Sequence, residues 1–418
     1  MSAFPVDELR REFPALAQAG DFLFFDNAAG AQIPAPVLAA VTDHLVSRNV
    51  QRGGPYGRSQ EVDAMIARAR EAVAAFVNAP SASEIAFGLN ATSFIRSISL
   101  AIGQTLGARP EIIVSDLDHE ANVATWIALE RAGARIVWWK VRDDGRLYVE
   151  DLQRLVSDRT RIVACTMASN ATGTRVDVAG ASRLAHAAGA EIFLDAVHFG
   201  PHGPIDVQAI DCDYLVCSGY KIFAPHMGFA WCRSGAINRL PTFREDFIPD
   251  VTPDKLEAGT YVYENVAGME AVVRYLDQLG QRVGSPPASA AGTRIRCAMD
   301  AIAAYERTLS AALLAAVSSI DGASAHGVTD RAGLGDRVPT VSFTIDGLSA
   351  PAIASELAKR GVGARSGHMY APRLMARLNL MPGGVVRVSL VHYNTVDEVT
   401  RFREMLSETV ATLRAVRA

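Results

Sequence analysis

Hydrophobic residues in this chain fall into short unbroken blocks separated by stretches with helical spacing. Five blocks stand out: Glu111-Ile112-Ile113-Val114-Ser115, Arg135-Ile136-Val137-Trp138-Trp139, Arg161-Ile162-Val163-Ala164-Cys165, Glu191-Ile192-Phe193-Leu194-Asp195 and Tyr214-Leu215-Val216-Cys217. Each is too short for a helix and apolar at consecutive rather than alternate positions, which predicts strands covered on both faces. Residues 122–132 and 178–188 between them carry helical periodicity. Such alternation predicts an α/β fold with a parallel sheet between helical layers, and in such sheets ligands bind beyond the carboxyl ends of the strands.

The pattern changes at Gly284-Ser285-Pro286-Pro287-Ala288-Ser289-Ala290-Ala291-Gly292, a run of turn formers that predicts a boundary. Beyond it come a long helical stretch (293–317), a strand at Thr340-Val341-Ser342-Phe343-Thr344, a helix at 351–360 with Pro351 at its first position, a strand at 385–390 and a last helix at 395–416. The division expected is an N-terminal segment (1–24) packing on the small domain, a large domain (25–285) and a small C-terminal α/β domain (286–418). A length of 418 residues suits two or three domains, at about 100 to 200 residues each.

Charge narrows the partners. With 41 basic and 45 acidic residues, a net charge of −4 and no basic run, nothing points to nucleic acid or an anionic membrane. No window reaches the roughly 18 apolar residues of a membrane span, and the charged, proline-interrupted start is unlike a leader, so a soluble cytoplasmic protein acting on small molecules is expected. The five cysteines (Cys165, Cys212, Cys217, Cys232 and Cys297) lack paired spacing. They read as buried thiols rather than disulfides or metal ligands, and no metal site is expected.

Candidate chemistry centres on Lys221 in Ser218-Gly219-Tyr220-Lys221-Ile222, shortly after an apolar strand, and on Asp195, at the end of the preceding strand. A lysine there can sit desolvated, which lowers its pKa and frees its amine for covalent chemistry with a carbonyl. An aspartate at the neighbouring strand end can hold a proton on a heterocyclic nitrogen. The run Gly88-Leu89-Asn90-Ala91-Thr92-Ser93, ahead of an apolar helical stretch, offers amides to an anion.

Seven motifs occur in one order: Phe25-Asp26-Asn27-Ala28-Ala29, Asp118-His119-Glu120-Ala121-Asn122, Ser169-Asn170-Ala171-Thr172-Gly173, Asp195-Ala196-Val197-His198, Ser218-Gly219-Tyr220-Lys221, Glu257-Ala258-Gly259-Thr260 and Arg365-Ser366-Gly367-His368. In these the chain resembles the fold-type I, class V aminotransferase family of pyridoxal-phosphate enzymes, in the branch of cysteine desulfurases and selenocysteine lyases. The resemblance covers nearly the whole length. It implies a large domain with a mostly parallel seven-stranded sheet and a small C-terminal domain. It implies pyridoxal 5'-phosphate as cofactor, an amino acid as substrate, and a homodimer with shared active sites.

Carried over residue by residue, the resemblance makes Lys221 the Schiff-base lysine and Asp195 the partner of the pyridinium nitrogen. His119 stacks on the ring and moves protons, while His198 and Asn170 approach the phenolic oxygen. Ala91, Thr92, Ser218 and Tyr220 face the phosphate, and Thr260 reaches the phosphate of the neighbouring subunit. Asn90 and Ala91 replace the first two residues of the family's usual Gly-Thr-Thr, so a hydroxyl is lost while the amides remain. Tyr220 stands where desulfurases carry histidine. Arg387 matches the arginine for the substrate carboxylate, a contact its planar fork suits. Arg365, Tyr370 and Tyr56, and further His226 and Arg373, lie in loops expected to line the substrate pocket (51–59, 225–227 and 365–373).

The pattern breaks at Arg365-Ser366-Gly367-His368-Met369-Tyr370-Ala371-Pro372, where Tyr370 takes the place of the desulfurases' nucleophilic cysteine. A phenol cannot accept sulfane sulfur, though it can donate a hydrogen bond or shuttle a proton. Three outcomes then share the removal of the α-proton. They are β-elimination as in a C-S lyase, which ranks first, aminotransfer second and epimerisation third.

Overall fold

The computed structural model describes residues 4–286, 288–330 and 332–416. Pro287 of the expected boundary, the first three residues of the N-terminal segment and the last two of the chain lie outside them. Strands are numbered along the chain: β1 (Leu23–Phe24), β2 (Ile85–Gly88), β3 (Glu111–Ser115), β4 (Arg135–Trp139), β5 (Thr160–Thr166), β6 (Glu191–Asp195), β7 (Tyr214–Ser218), β8 (Gly228–Cys232), β9 (Ala323–His326), β10 (Thr340–Ile345), β11 (Val362–Gly363), β12 (Arg365–Gly367) and β13 (Val385–Ser389).

Seven of them form one sheet in the order β2-β8-β7-β6-β5-β3-β4. Period-two alternation divides the strand residues between two cores. Ile113, Val163, Ile192, Leu194 and Leu215 pack on the side of the helices Gly57–Val77, Val178–Ala187 and Tyr263–Arg282. Ile112, Val114, Ala164, Phe193 and Val216 pack on the side of the helix Ala91–Gly103 and of Trp126. That two-sided burial is why these strands read as unbroken apolar runs. β4 is the exception: it is an edge strand and its Ile136, Val137 and Trp138 are only half-buried.

The sheet is not wholly parallel. β8 runs antiparallel to both β2 and β7, and the other pairings are parallel. Only residues 219–227 join β7 to β8, fewer than the dozen or more a parallel crossover needs, so the chain must turn straight back. β2, antiparallel to β8, points the same way as β7, and the carboxyl ends of β2, β3, β5, β6 and β7 share one edge.

The C-terminal part is a four-stranded antiparallel sheet, β12-β13-β10-β9, packed against the helices Ala291–Ser318, Ala350–Lys359 and Val396–Ala415 through a third core. The last helix starts with a reciprocal cap between Thr395 and Glu398. The N-terminal segment joins this part: β1 pairs in parallel with β11, Leu23 and Phe25 enter the third core, and Asn27 Nδ2 donates to Ser389 O at 2.9 Å.

Candidate active site

The shared carboxyl edge carries a cavity. Its walls come from the residues just past four strand ends, with His119 after β3, Asn170 after β5, Asp195 and His198 at the end of β6, and Ser218, Tyr220 and Lys221 at the end of β7. Ala91 and Thr92, at the start of the helix following β2, complete it. Residues far apart in the sequence thus converge because parallel strands deliver their ends to one side.

Lys221 is buried and donates to the Ala28 carbonyl of the N-terminal segment. Burial and, next, the charge of Arg387 bring its pKa down to about 8, against the pull of Asp195 and Asp26. Asp195 is pushed up to about 6 by burial, although its Oδ1 accepts from Val197 N–H at 2.8 Å and Lys221 favours its charged form. Each is thus a charge poorly solvated by its surroundings, the condition under which a bound group of complementary charge gains most.

His119 Nδ1 accepts from Ala121 N–H at 3.0 Å, which places the proton of the neutral ring on Nε2. Burial, then Lys221 and Arg387, hold its pKa down at about 4. Behind it Asp118 is fully buried, bonded to Ser115 Oγ and, at 2.8 Å, to Asn122 Nδ2, and burial raises its pKa to about 8. His198 faces Thr340 Oγ1 through Nε2 at 3.1 Å.

At the opposite end of the cavity the helix Ala91–Gly103 begins with Asn90 as a reciprocal cap with Ser93, and Ala91 N–H donates to Ser218 Oγ at 3.1 Å. A methyl group on Gly228 would come within 2.5 Å of the Asn90 carbonyl carbon, so this glycine is what lets β8 pass under the helix start. The Tyr220 ring stacks on His226, centroids 5.0 Å apart and 9° between planes.

Beside the cavity Arg387 is buried, donating to Asn170 O at 2.9 Å and Asp26 Oδ1 at 2.8 Å. Arg365, its cross-strand neighbour in register, holds the other oxygen of Asp26 at 2.9 to 3.0 Å. Tyr370 sits in a turn closed by Ala371 N–H to His368 O, with Met369 and Tyr370 both at positive φ (53° and 55°). Side chains with a Cβ pay for that conformation, so the surroundings hold it. Asn170 Nδ2 donates to Met369 O at 2.6 Å and Glu120 N–H to Tyr370 O at 2.8 Å. An ion pair from Arg373 to Glu120 at 3.1 Å braces the turn. The Tyr370 ring stands 5.7 Å from that of His119.

Several expected residues do not line this cavity. Arg387, Arg365 and Tyr370 stand beside it as described above, while Thr260 accepts from Gln51 Nε2 at 2.7 Å on the surface and Tyr56 is exposed in the 51–59 loop. The glutamate of the Thr260 motif is structural, because Glu257 forms a buried bidentate pair with Arg70 at 2.7 Å and accepts from Phe87 N–H. Cys165, Cys212, Cys217 and Cys232 are buried, with thiol pKa values pushed up by burial, whereas Cys297, expected to be buried too, is partly exposed on the helix Ala291–Ser318. It lies on a helix face, not in a strand, which is why its burial is incomplete.

Asp26 has its partners Arg365 and Arg387 on strands far away in sequence, whereas Asp118 is held by Ser115 and Asn122 of its own neighbourhood, and nothing in their spacing alone marks it as buried. Glu306, in contact with His202 behind the cavity, had no local signal at all.

The profile of the Aminotransferase class-V family matches residues 23–284 and 288–402. The chain is 33% identical to "Aminotransferase-like protein FGM3" of Gibberella zeae, over 95% of this chain and 96% of that protein. It is 32% identical to a cysteine desulfurase of Enterobacter sp., over 96% of this chain and 97% of the relative. The apo structure of a cysteine desulfurase from Thermococcus onnurineus superposes with a TM-score of 0.86 at 24% identity, covering 99% of each chain, which fixes the fold. The chain belongs to the class-V aminotransferase family and is an enzyme dependent on pyridoxal 5'-phosphate.

Proposed function

We propose that this enzyme is a β-eliminating lyase of the C-S type acting on an amino acid, with a desulfurase-like site that lacks a sulfur-accepting cysteine. The observation that carries the reading is the turn at residues 368–371, which presents a phenol where the resemblance calls for a thiol, while four of the five cysteines are buried in the strands of the large sheet or close beside them.

The cavity fits the cofactor. Asn170 Oδ1 is buried, faces the cavity wall and has no partner, as an acceptor reserved for a bound group would be. Bound pyridoxal phosphate supplies an electron sink conjugated to the substrate's α-carbon. Lys221 would hold it covalently and afterwards take the α-proton on Nζ, a task suited to an amine titrating near 8. Asp195 would keep a proton on the ring nitrogen. His119, neutral at physiological pH, would cover the ring face, and His198 and Asn170 would approach the phenolic oxygen. The amides of Ala91 and Thr92, with Ser218 and Tyr220, would receive the phosphate at the helix start. Arg387, with Arg365 beside it, would bind the α-carboxylate, and Tyr370 would donate its phenolic proton toward the departing β-substituent.

The surface position of Thr260 and Tyr56 supports a homodimer in which each chain completes the other's cavity. Aminotransfer is the second reading, favoured by the likeness to the aminotransferase-like protein of Gibberella zeae.

The test loads the purified protein with pyridoxal phosphate and offers L- and D-amino acids. Keto acid and ammonia in equal amounts, with the starting absorbance restored, are expected for a lyase. Lasting conversion to pyridoxamine phosphate would replace that reading with the aminotransferase. Lys221→Ala should lose the absorbance of lysine-bound cofactor.

A further inference from the structure

His198 is a cavity residue held partly from outside the large sheet. Its Nε2 meets Thr340 Oγ1 of β10 at 3.1 Å, and its ring meets that of His202 edge-on, centroids 5.4 Å apart. His202 Nδ1 is bonded in turn to Glu306 Oε2 at 2.7 Å, from the middle of the helix Ala291–Ser318. All three side chains are buried, with exposures of 2 to 5%.

A carboxyl group this deep normally needs several donors, yet among the described residues Glu306 Oε1 has none, and besides His202 the group acting on this carboxyl is the backbone N–H of His392. Burial raises the pKa of Glu306, and the 2.7 Å contact with His202 opposes that. The groups that act on His198 are His202 on its own loop, Lys221 after β7 and Arg387 on β13, each of which disfavours a second positive charge. Arg387 is tied to Asp26 and His202 to Glu306, so two of these neighbours are each held by a carboxylate. Thr340 can donate or accept, so it orients the ring without choosing its proton.

We propose that Glu306, acting through His202, is a positioning residue that fixes the orientation of His198 in the cofactor cavity. With Thr340, this makes both anchors of His198 products of the C-terminal part of the chain, so the seating of that part is felt at the cofactor. The inference rests on the reading of His198 as a cofactor contact, and its first measurement needs no cofactor.

Histidine-labelled, cofactor-free protein is studied by long-range 1H–15N correlation, with His198→Gln assigning the signal. Wild-type His198 should show one neutral tautomer throughout the neutral pH range. In Glu306→Gln, His202 loses its carboxylate partner and is free to turn, and His198 should become a mixture of forms. In the loaded protein the pH midpoint of the cofactor absorbance should then move by about half a unit or more. In the double variant with His198→Gln it should stay where His198→Gln alone sets it. A merely structural Glu306 would lower the melting temperature and leave tautomer and midpoint unchanged, and that result in folded Glu306→Gln overturns the proposal. Should this variant fail to fold, His202→Gln, which keeps an amide donor for Glu306, must produce the same change of tautomer, and wild-type behaviour in it overturns the proposal equally. A loaded protein whose absorbance survives Lys221→Ala would instead overturn the cofactor reading, with the tautomer comparison still deciding the role of Glu306.

Discussion

Lys221 shows what its position costs the folded chain. Its amine titrates near 8 when buried, against 10.5 for a free lysine, so between these values the unfolded chain binds more protons than the folded one. Stability from this group therefore rises with pH through that window, and below it the burial cost is fully present. Cofactor-free Lys221→Met should melt higher than wild type at neutral pH, with the gap closing toward the upper end of the window in a calorimetric pH series. A gap independent of pH would assign the effect to packing. Arg387 makes the complementary point: its planar fork already spans Asn170 O and Asp26, and a lysine cannot reproduce two directions at once. Arg387→Lys should lower kcat/KM by about 10- to 100-fold, as expected for one charge-assisted contact of about 1.5–3 kcal/mol, with most of the loss in KM.

Among the elements, the strands with two buried faces were legible because uninterrupted apolar runs leave little choice. β2 and β8 were not, since Ile85-Ala86-Phe87-Gly88 and Gly228-Phe229-Ala230-Trp231-Cys232 are short and glycine-bounded, and only the brevity of the β7–β8 connection gives away the reversal. β8 nevertheless bears on the site through the missing side chain of Gly228. Gly228→Ala would push a methyl group into the Asn90 backbone and displace the helix start beside the cavity. Its cofactor dissociation constant, measured by fluorescence titration, should rise at least about tenfold, because the amides lose their aim at the phosphate. An unchanged constant would show that the helix start tolerates the shift.

Over the whole molecule, the sequence reveals most about the cavity floor, where Lys221, Asp195, His119 and His198 lie in local motifs, and least about contacts between the C-terminal layer and the sheet. Arg387 meeting Asp26, and Glu306 meeting His202, are pairings 361 and 104 residues apart that no local pattern encodes. The surface carries a further message. Phe243 and Phe247 stand almost fully in solvent, at 102% and 83%, and Leu89 and Leu100 are exposed on the side of the helix that starts at the cavity. The dimer proposed above would bury apolar groups displayed this way. Phe247→Asp should shift the sedimentation of the proposed dimer toward monomer and reduce activity with it, whereas a fully active monomer would remove the shared-site reading.

Asp26, carried on the strap that joins β1 to the first long helix, occupies both arginines of the proposed substrate side at once. Two bare guanidinium groups would make an indiscriminate anion trap, soaking up sulfate, chloride or stray carboxylates. With an in-house carboxylate seated there, an incoming anion must bring extra attachment elsewhere in the cavity to compete, and an amino acid does so while a simple salt does not. Asp26→Asn should therefore convert sulfate from a bystander into a competitive inhibitor, so that tolerance of background ions, as much as affinity for substrate, is written into this one aspartate.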